Sequence, residues 1–203
     1  AIAACAAVGA PDEIRPLSAD DLASRCDAGF LGGAIVRTSA TVQPARLSLG
    51  LRDAVVRVGV RLFERSPVRR LTSEAVATDR GRVRAGSIVL AAGSATCGFP
   101  GFRLAHAVAS SHMVVTEPVP DVLDALGWTG GEPIGDGRTL LHYLRTTRDG
   151  RIAFGWGGGR MGFGARRLRR LELDPAVVAA AARDLVCFFP ALRGRRLTHA
   201  WGG

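Results

Sequence analysis

The sequence predicts a mixed α/β (α+β) fold in two parts, and three stretches carry that prediction. A helical pattern from Pro44, "PARLSLGLRDAVVRVG", is followed at once by the strand-like "VRLFE", which is half of an α/β unit. A fully apolar run, Ile88 to Ala92, ends in small residues at Gly93. Parallel strands end this way where their carboxyl end meets a ligand, and a buried strand entering a plain turn reads the same locally. In the second half, "TLLHYLRTTRDGRIAFGWGGG" reads as two antiparallel strands joined at Asp149-Gly150, a strong hairpin signal.

The remaining elements follow in order. "AIAACAAVGA" reads as a cut helix; it lacks the initiator Met and the basic flank of a signal peptide. Ser18 or Asp20 can cap a short helix with Asp21 in its first turn. Ala34, Val36 and Thr38 alternate with Ile35 and Arg37, which predicts a strand. Pro44 suits the first turn of the next helix, because its missing N–H costs nothing there. Leu47, Leu51, Val55 and Val58 make one apolar stripe on that helix, and Gly59 stops it. A hairpin turns at Asp79-Arg80-Gly81. "SSHMVVTEP" is a strand and "VPDVLDALGW" a short amphipathic helix. "DPAVVAAAARDLVCFFPAL" is a helix capped by Asp174, with Pro175 at its first position. In "LTHAWGG", Leu197, Ala200 and Trp201 read as a buried strand. Gly202 and Gly203 then read as a close backbone approach. Both ends read as cut.

Composition narrows the function classes. Hydrophobic residues make up 47% and charged residues 22%, so the chain is globular rather than disordered. All 27 basic residues are Arg, and the net charge is +9. Such a skew fits GC-rich coding better than selection for a polyanion. The dense clusters, Arg166 to Arg170 and Arg193 to Arg196, lack interleaved aromatics that could stack bases. The cysteines, Cys5, Cys26, Cys97 and Cys187, form no CxxC pair, so no metal site is expected. Reduced thiols in a cytoplasmic protein are the expectation. No apolar run reaches the roughly 20 residues of a membrane span.

Five stretches in this order resemble one family. They are "ATVQPARLSLGLRDAVVRVGVRLFERSPVRRL", "RAGSIVLAAGSAT", "VVTEPVPDVLDALGW", "DGRTLLHYLRTTRDGRIAFGWGGG" and "FFPALRGRRLTHAWGG". The chain is similar to the middle of flavin-dependent oxidases of the D-amino-acid oxidase and glycine oxidase superfamily. Within it, the likeness is to the bacterial gamma-glutamylputrescine oxidase-like branch. The family's strand–GxGxxG–helix, which places the FAD pyrophosphate on a helix amino terminus, is not found. "GWGGGRMGFG" (Gly155 to Gly164) follows a hairpin strand and opens no apolar helix. The resemblance therefore implies an internal fragment: part of a Rossmann-like FAD domain plus a substrate domain with a mostly antiparallel sheet. Residues 1–43 would lead in from the substrate domain, 44–97 would belong to the FAD domain, and 98–203 to the substrate domain. Cut from its neighbours, the strand at Ile88 to Ala92 would leave apolar surface open to aggregation.

The resemblance also implies a site. Val68 matches the position whose backbone meets the adenine of FAD. Ala91, Ala92 and Gly93 match the strand end lining the cofactor, and Trp201, Gly202 and Gly203 match the approach to the flavin. Tyr143 matches a substrate-side tyrosine, and Arg145 lies on the same strand face. The implied activity is oxidation of an amine or amino acid to an imine. A hydride passes to flavin N5 and the electrons go to oxygen, giving hydrogen peroxide, or to another acceptor. Substrate must sit within about 3–3.5 Å of the acceptor atom. Arg suits a carboxylate through its planar fork, and Tyr adds a hydroxyl donor. Taken alone, a single strand tyrosine is more often a core residue with a bonded hydroxyl. His142 points to the opposite face, and His106, His112 and His199 read as structural or surface residues. The expected partner is a small molecule, with no nucleic acid. Two other readings stand beside this one: a decayed piece unable to hold FAD, and a basic nucleic-acid binder.

Overall fold

The computed structural model describes residues 2–162 and 172–203. They fall into two compact units. One spans Ala1–Thr41, Ala109–Arg160 and Leu168–Gly203; the other spans Val42–Val108 and Met161–Arg167. The fold is mixed α/β with antiparallel sheets.

In the first unit, the alanine-rich start forms helix α1 (Ile2–Ala7). Strand β1 (Ile14–Leu17) follows, then helix α2 (Ala19–Ala23). Ser18 caps α2 in a complete capping box. Its hydroxyl accepts from the Asp21 backbone at 3.1 Å, and its own N–H donates to the Asp21 carboxylate at 2.9 Å. Strand β2 (Gly33–Val36) pairs antiparallel with β1. The alternation at Ala34 marked β2, while its partner lay in a stretch read only as the lead-in to a helix.

The second unit opens with helix α3 (Pro44–Arg57), with Pro44 in its first turn and Gly59 at φ +87° just beyond its end. Strands β3 (Val68–Leu71), β4 (Ala75–Thr78) and β5 (Gly81–Arg84) form an antiparallel sheet in that order. Thr78 pairs with Gly81 across the expected turn. Three expectations fail in this unit. "VRLFE" is not a strand, and Val60, Leu62 and Phe63 are exposed. Ile88 to Ala92 is not a buried strand either, and Val89 is 89% exposed. The stripe on α3 is largely uncovered: Leu47, Leu51 and Val58 are exposed, Val55 is half-buried, and no residue of α3 is buried. The physical reason is common to all three. Apolar sequence makes a strand or a core helix only where a partner surface covers it, and among the described residues these segments are at most half-covered. A turn of 3-10 helix, Gly93–Gly98, follows.

The chain returns to the first unit through the short strand β6 (Val108–Ala109) and builds its main sheet. This adds β7 (His112–Thr116), helix α4 (Pro120–Ala125), β8 (Ile134–Gly135), β9 (His142–Thr146) and β10 (Ile152–Trp156). After the short strand β11 (Met161–Gly162) come α5 (Pro175–Phe188) and β12 (Leu197–Gly202). The sheet order is β12-β7-β10-β9-β8. The β9–β10 hairpin turns at Asp149-Gly150, where Gly150 takes φ +73°. Asp174 caps α5 by accepting from the Ala176 N–H at 2.9 Å. Val177, Ala181 and Leu185 of α5 are buried, the last two in one core with Val114, Leu144, Ile152 and Phe154. Each of the Val, Leu, Ile and Phe side chains among them contributes about 1.5–3 kcal/mol through burial. Trp128 stacks on Phe189 at 5.7 Å and donates to the Glu132 carbonyl at 3.0 Å.

Candidate functional site

Side chains alternate along β9, so His142 and Leu144 enter the core while Tyr143 and Arg145 occupy the other face. The register carries this face across four strands. Tyr143 stands opposite Gly155, Gly155 opposite Met113, and Met113 opposite Trp201. The adjacent row runs Arg145, Ala153, Val115, His199. Two expected substrate residues and one expected flavin residue thus share one face, and neither row holds a carboxylate.

The Tyr143 ring lies across β10 because Gly155 has no side chain; a Cβ there would overlap the ring. The phenol hydroxyl then reaches Ser111, with which it shares a hydrogen bond. Ser111 Oγ also donates to the Trp156 carbonyl at 3.2 Å. Through its backbone, Ser111 donates to Gly203 O at 2.7 Å and accepts from Gly203 N–H at 2.9 Å. Ser111 therefore joins the tyrosine to the glycine end of β12. Sequence reasoning missed it. The only available signal was alternation in "SSHMVVT", which places Ser111 on the face of Met113.

Beneath this face, His112 is fully buried and its Nε2 accepts from the Asp174 N–H at 2.9 Å. Its Nδ1 has no partner among the described residues. Burial pushes its pKa down; Asp174 opposes this and Arg160 adds to it. Asp174 is held below the usual carboxylate range, chiefly by a hydrogen bond from Arg160 at 2.8 Å. Gly202 lies against this group. A Cβ there would come within 2.7 Å of both His112 Nε2 and the Glu172 carbonyl, so only glycine fits.

His142 is also buried. Its Nδ1 lies 2.8 Å from Asp136 and its Nε2 3.1 Å from Asp184, among the rings of Phe154, Trp156 and Phe188. Burial pushes the Asp136 carboxyl up. Hydrogen bonds from the His142 ring, the His142 backbone and the Arg138 backbone outweigh it, and the carboxyl sits below its ordinary value.

The other expected residues are placed as follows. Trp201 and Ala200 are exposed on β12, an edge strand, which corrects the expectation of a buried strand. Among the described residues β7 is its one strand neighbour. A Cβ at Gly203 would meet open space. Val68 lies in β3 opposite Thr78, in the other unit. So do Ala91, which is exposed, Ala92, which is half-buried, and Gly93, at φ +52°. In the Arg193–Arg196 cluster, Arg195 pairs with Asp121 and Arg196 with Glu117. The cluster Arg166–Arg170 lies outside the described residues. Among the described residues, no group of three or more His, Cys, Asp or Glu is placed to hold a metal ion, and no helix is long and apolar enough to cross a membrane.

The chain is similar to a probable oxidoreductase, OrdL, of Haemophilus influenzae, at 26% identity over 183 residues; the match covers 86% of this chain and 39% of that protein. It is 27% identical over 181 residues to gamma-glutamylputrescine oxidoreductase of Escherichia coli, covering 86% of this chain and 40% of the relative. The chain thus spans well under half the length of these curated relatives. Its fold matches L-proline dehydrogenase from P. horikoshii with a TM-score of 0.78 at 15% identity, covering 98% of this chain and 53% of that structure. Glycine oxidase from Bacillus cereus matches with a TM-score of 0.71 at 16% identity, covering 100% and 56%. The family model for FAD dependent oxidoreductases, DAO, matches residues 1–203, and the chain belongs to that family.

Proposed function

We propose that this chain carries the substrate-binding face of an enzyme that oxidises an amine or amino acid to an imine with FAD. The observation that carries the reading is the shared face of Tyr143, Arg145 and Trp201. The names of the relatives support it, since each of three is named for an amine or an amino acid. The residues fit a flat aromatic group. On this face the Tyr143 ring covers Gly155, Trp201 is exposed beside Met113, and the backbone is open at Gly203. Val68, Ala91, Ala92 and Gly93 in one unit, and Gly202 and Gly203 in the other, are each candidates for contact with FAD. When bound, FAD supplies the acceptor for the hydride leaving the carbon that bears nitrogen.

In this reading, Arg145 holds a substrate carboxylate in a bidentate grip and Tyr143 contacts the substrate beside it. His142 lies on the core face and anchors the strand. Electrons pass on to oxygen, and hydrogen peroxide is the second product.

The test is anaerobic mixing of the full-length, FAD-loaded protein with a panel of amines and amino acids. Flavin bleaching is expected with at least one, and peroxide once air is admitted. Arg145→Lys should raise KM for a carboxylate-bearing substrate about 10- to 100-fold, as expected for loss of charged hydrogen bonds. Absence of bleaching across the whole panel would sink the reading.

A further inference from the structure

We propose that Ser111 fixes the direction of the Tyr143 hydroxyl, making Tyr143 a hydrogen-bond acceptor toward the ligand that recognises an N–H group. The argument is a proton count. A serine hydroxyl has one proton, and a phenol has one. Ser111 Oγ lies 3.2 Å from the Trp156 carbonyl, which can only accept, so the serine proton goes there. The hydrogen bond between Ser111 Oγ and Tyr143 Oη must then be donated by the phenol. The chain runs Tyr143 to Ser111 to Trp156, and all three oxygens are satisfied. What Tyr143 has left is its lone pairs.

The Ser111 backbone is held as well: both its N–H and its C=O are bonded to Gly203, which fixes the Cα–Cβ direction from which Oγ projects. The Tyr143 ring is pinned from below by Gly155. The face is therefore polarised. One row offers an acceptor at Tyr143, and the positive charge of Arg145 stands in the next, two residues along the same strand. An amino group belongs at Tyr143 and an acid group at Arg145. This orientation rests on the amine-oxidation reading above. It replaces the simpler expectation that the tyrosine donates to the substrate. Ser111 is a positioning residue, acting through Tyr143.

The test uses the full-length, FAD-loaded protein and two readouts. Raman spectra report whether a tyrosine hydroxyl donates or accepts, and subtracting the Tyr143→Phe spectrum isolates this residue. The difference spectrum should show a donor in the wild type and in Ser111→Thr, and lose that signature in Ser111→Ala. Binding of butylamine and of butyrate is then followed by perturbation of the flavin absorbance. Ser111→Ala should shift the ratio of the two affinities about three- to tenfold toward butyrate, the worth of one hydrogen bond. Ser111→Thr should restore it. An accepting phenol in the wild type, or an unchanged ratio in Ser111→Ala, overturns the proposal. If the phenol donates as expected but neither probe perturbs the flavin, the amine-site reading falls and the ligand part of this proposal falls with it.

Discussion

Gly155 stands opposite Tyr143 in the β9–β10 register, and the phenol ring fills the space that a side chain at 155 would need. Gly155→Ala should therefore displace the ring and break its bond to Ser111, at a cost of about 1–3 kcal/mol from overpacking. Denaturant unfolding measures the loss. In a Tyr143→Ala background the same Gly155→Ala change should cost far less, because the clash partner is gone. If it costs as much there as in the wild type, the ring is not what the glycine accommodates.

Gly202→Ala makes a second steric prediction. The added methyl would meet the Glu172 carbonyl and His112 Nε2, each at 2.7 Å, and a backbone oxygen cannot swing away cheaply. A loss of about 1–3 kcal/mol is expected. The substitution should also loosen the Asp174–His112 contact below it, measurable as faster hydrogen exchange at the Asp174 amide. An alanine variant as stable as the wild type would show that β12 lies further from His112.

The buried His112 predicts a pH dependence. Its pKa is held below the ordinary imidazole value, so the unfolded chain takes up a proton at a higher pH than the folded one. The contribution of neutral His112 is complete above about pH 6.5 and is lost as pH falls toward the folded value. The unfolding free energy should decline through that window in the wild type and more gently in His112→Gln. The slope is the readout, whatever the absolute stability of the variant. Equal slopes would assign the decline to other groups. Asp136 and Asp174 are lowered too, but their contributions fade only below about pH 4.

The four free thiols should differ in reactivity. Cys187 is exposed, whereas Cys26 and Cys97 are buried. Burial, with Asp27 and Glu132 nearby, pushes the Cys26 thiol up to about 11. The thiolate is the reactive form. Alkylation at neutral pH followed by peptide mass spectrometry should modify Cys187 first and Cys26 only with unfolding. Early labelling of Cys26 would mean that the core around Trp128 opens readily.

Local chemistry was the legible part of this sequence. Ser18, Pro44, Asp174 and Asp149-Gly150 each act through their immediate neighbours, and each stands where its residue type predicts. The stripe on α3, "VRLFE" and the run at Ile88 depend on distant partners, so their apolar pattern could not say whether anything covers them. The site divides in the same way. Alternation alone separates Tyr143 and Arg145 from His142. Ser111 enters only through the pairing of β7 with β10 and β12, and strand register cannot be read from one strand.

The alternation of β9 also constrains how this protein can evolve in length. Gaining or losing one residue inside the strand would reverse every side chain beyond that point. Tyr143 and Arg145 would be driven among Phe154, Trp156 and Phe188, and His142 would be stripped of Asp136 and Asp184. Steps of two preserve the faces, and a single insertion does so only as a β-bulge. Parity is thus a constraint on this strand: substitutions and paired insertions keep its faces, whereas an odd insertion has to be absorbed as a bulge, as the register shift in β12 is.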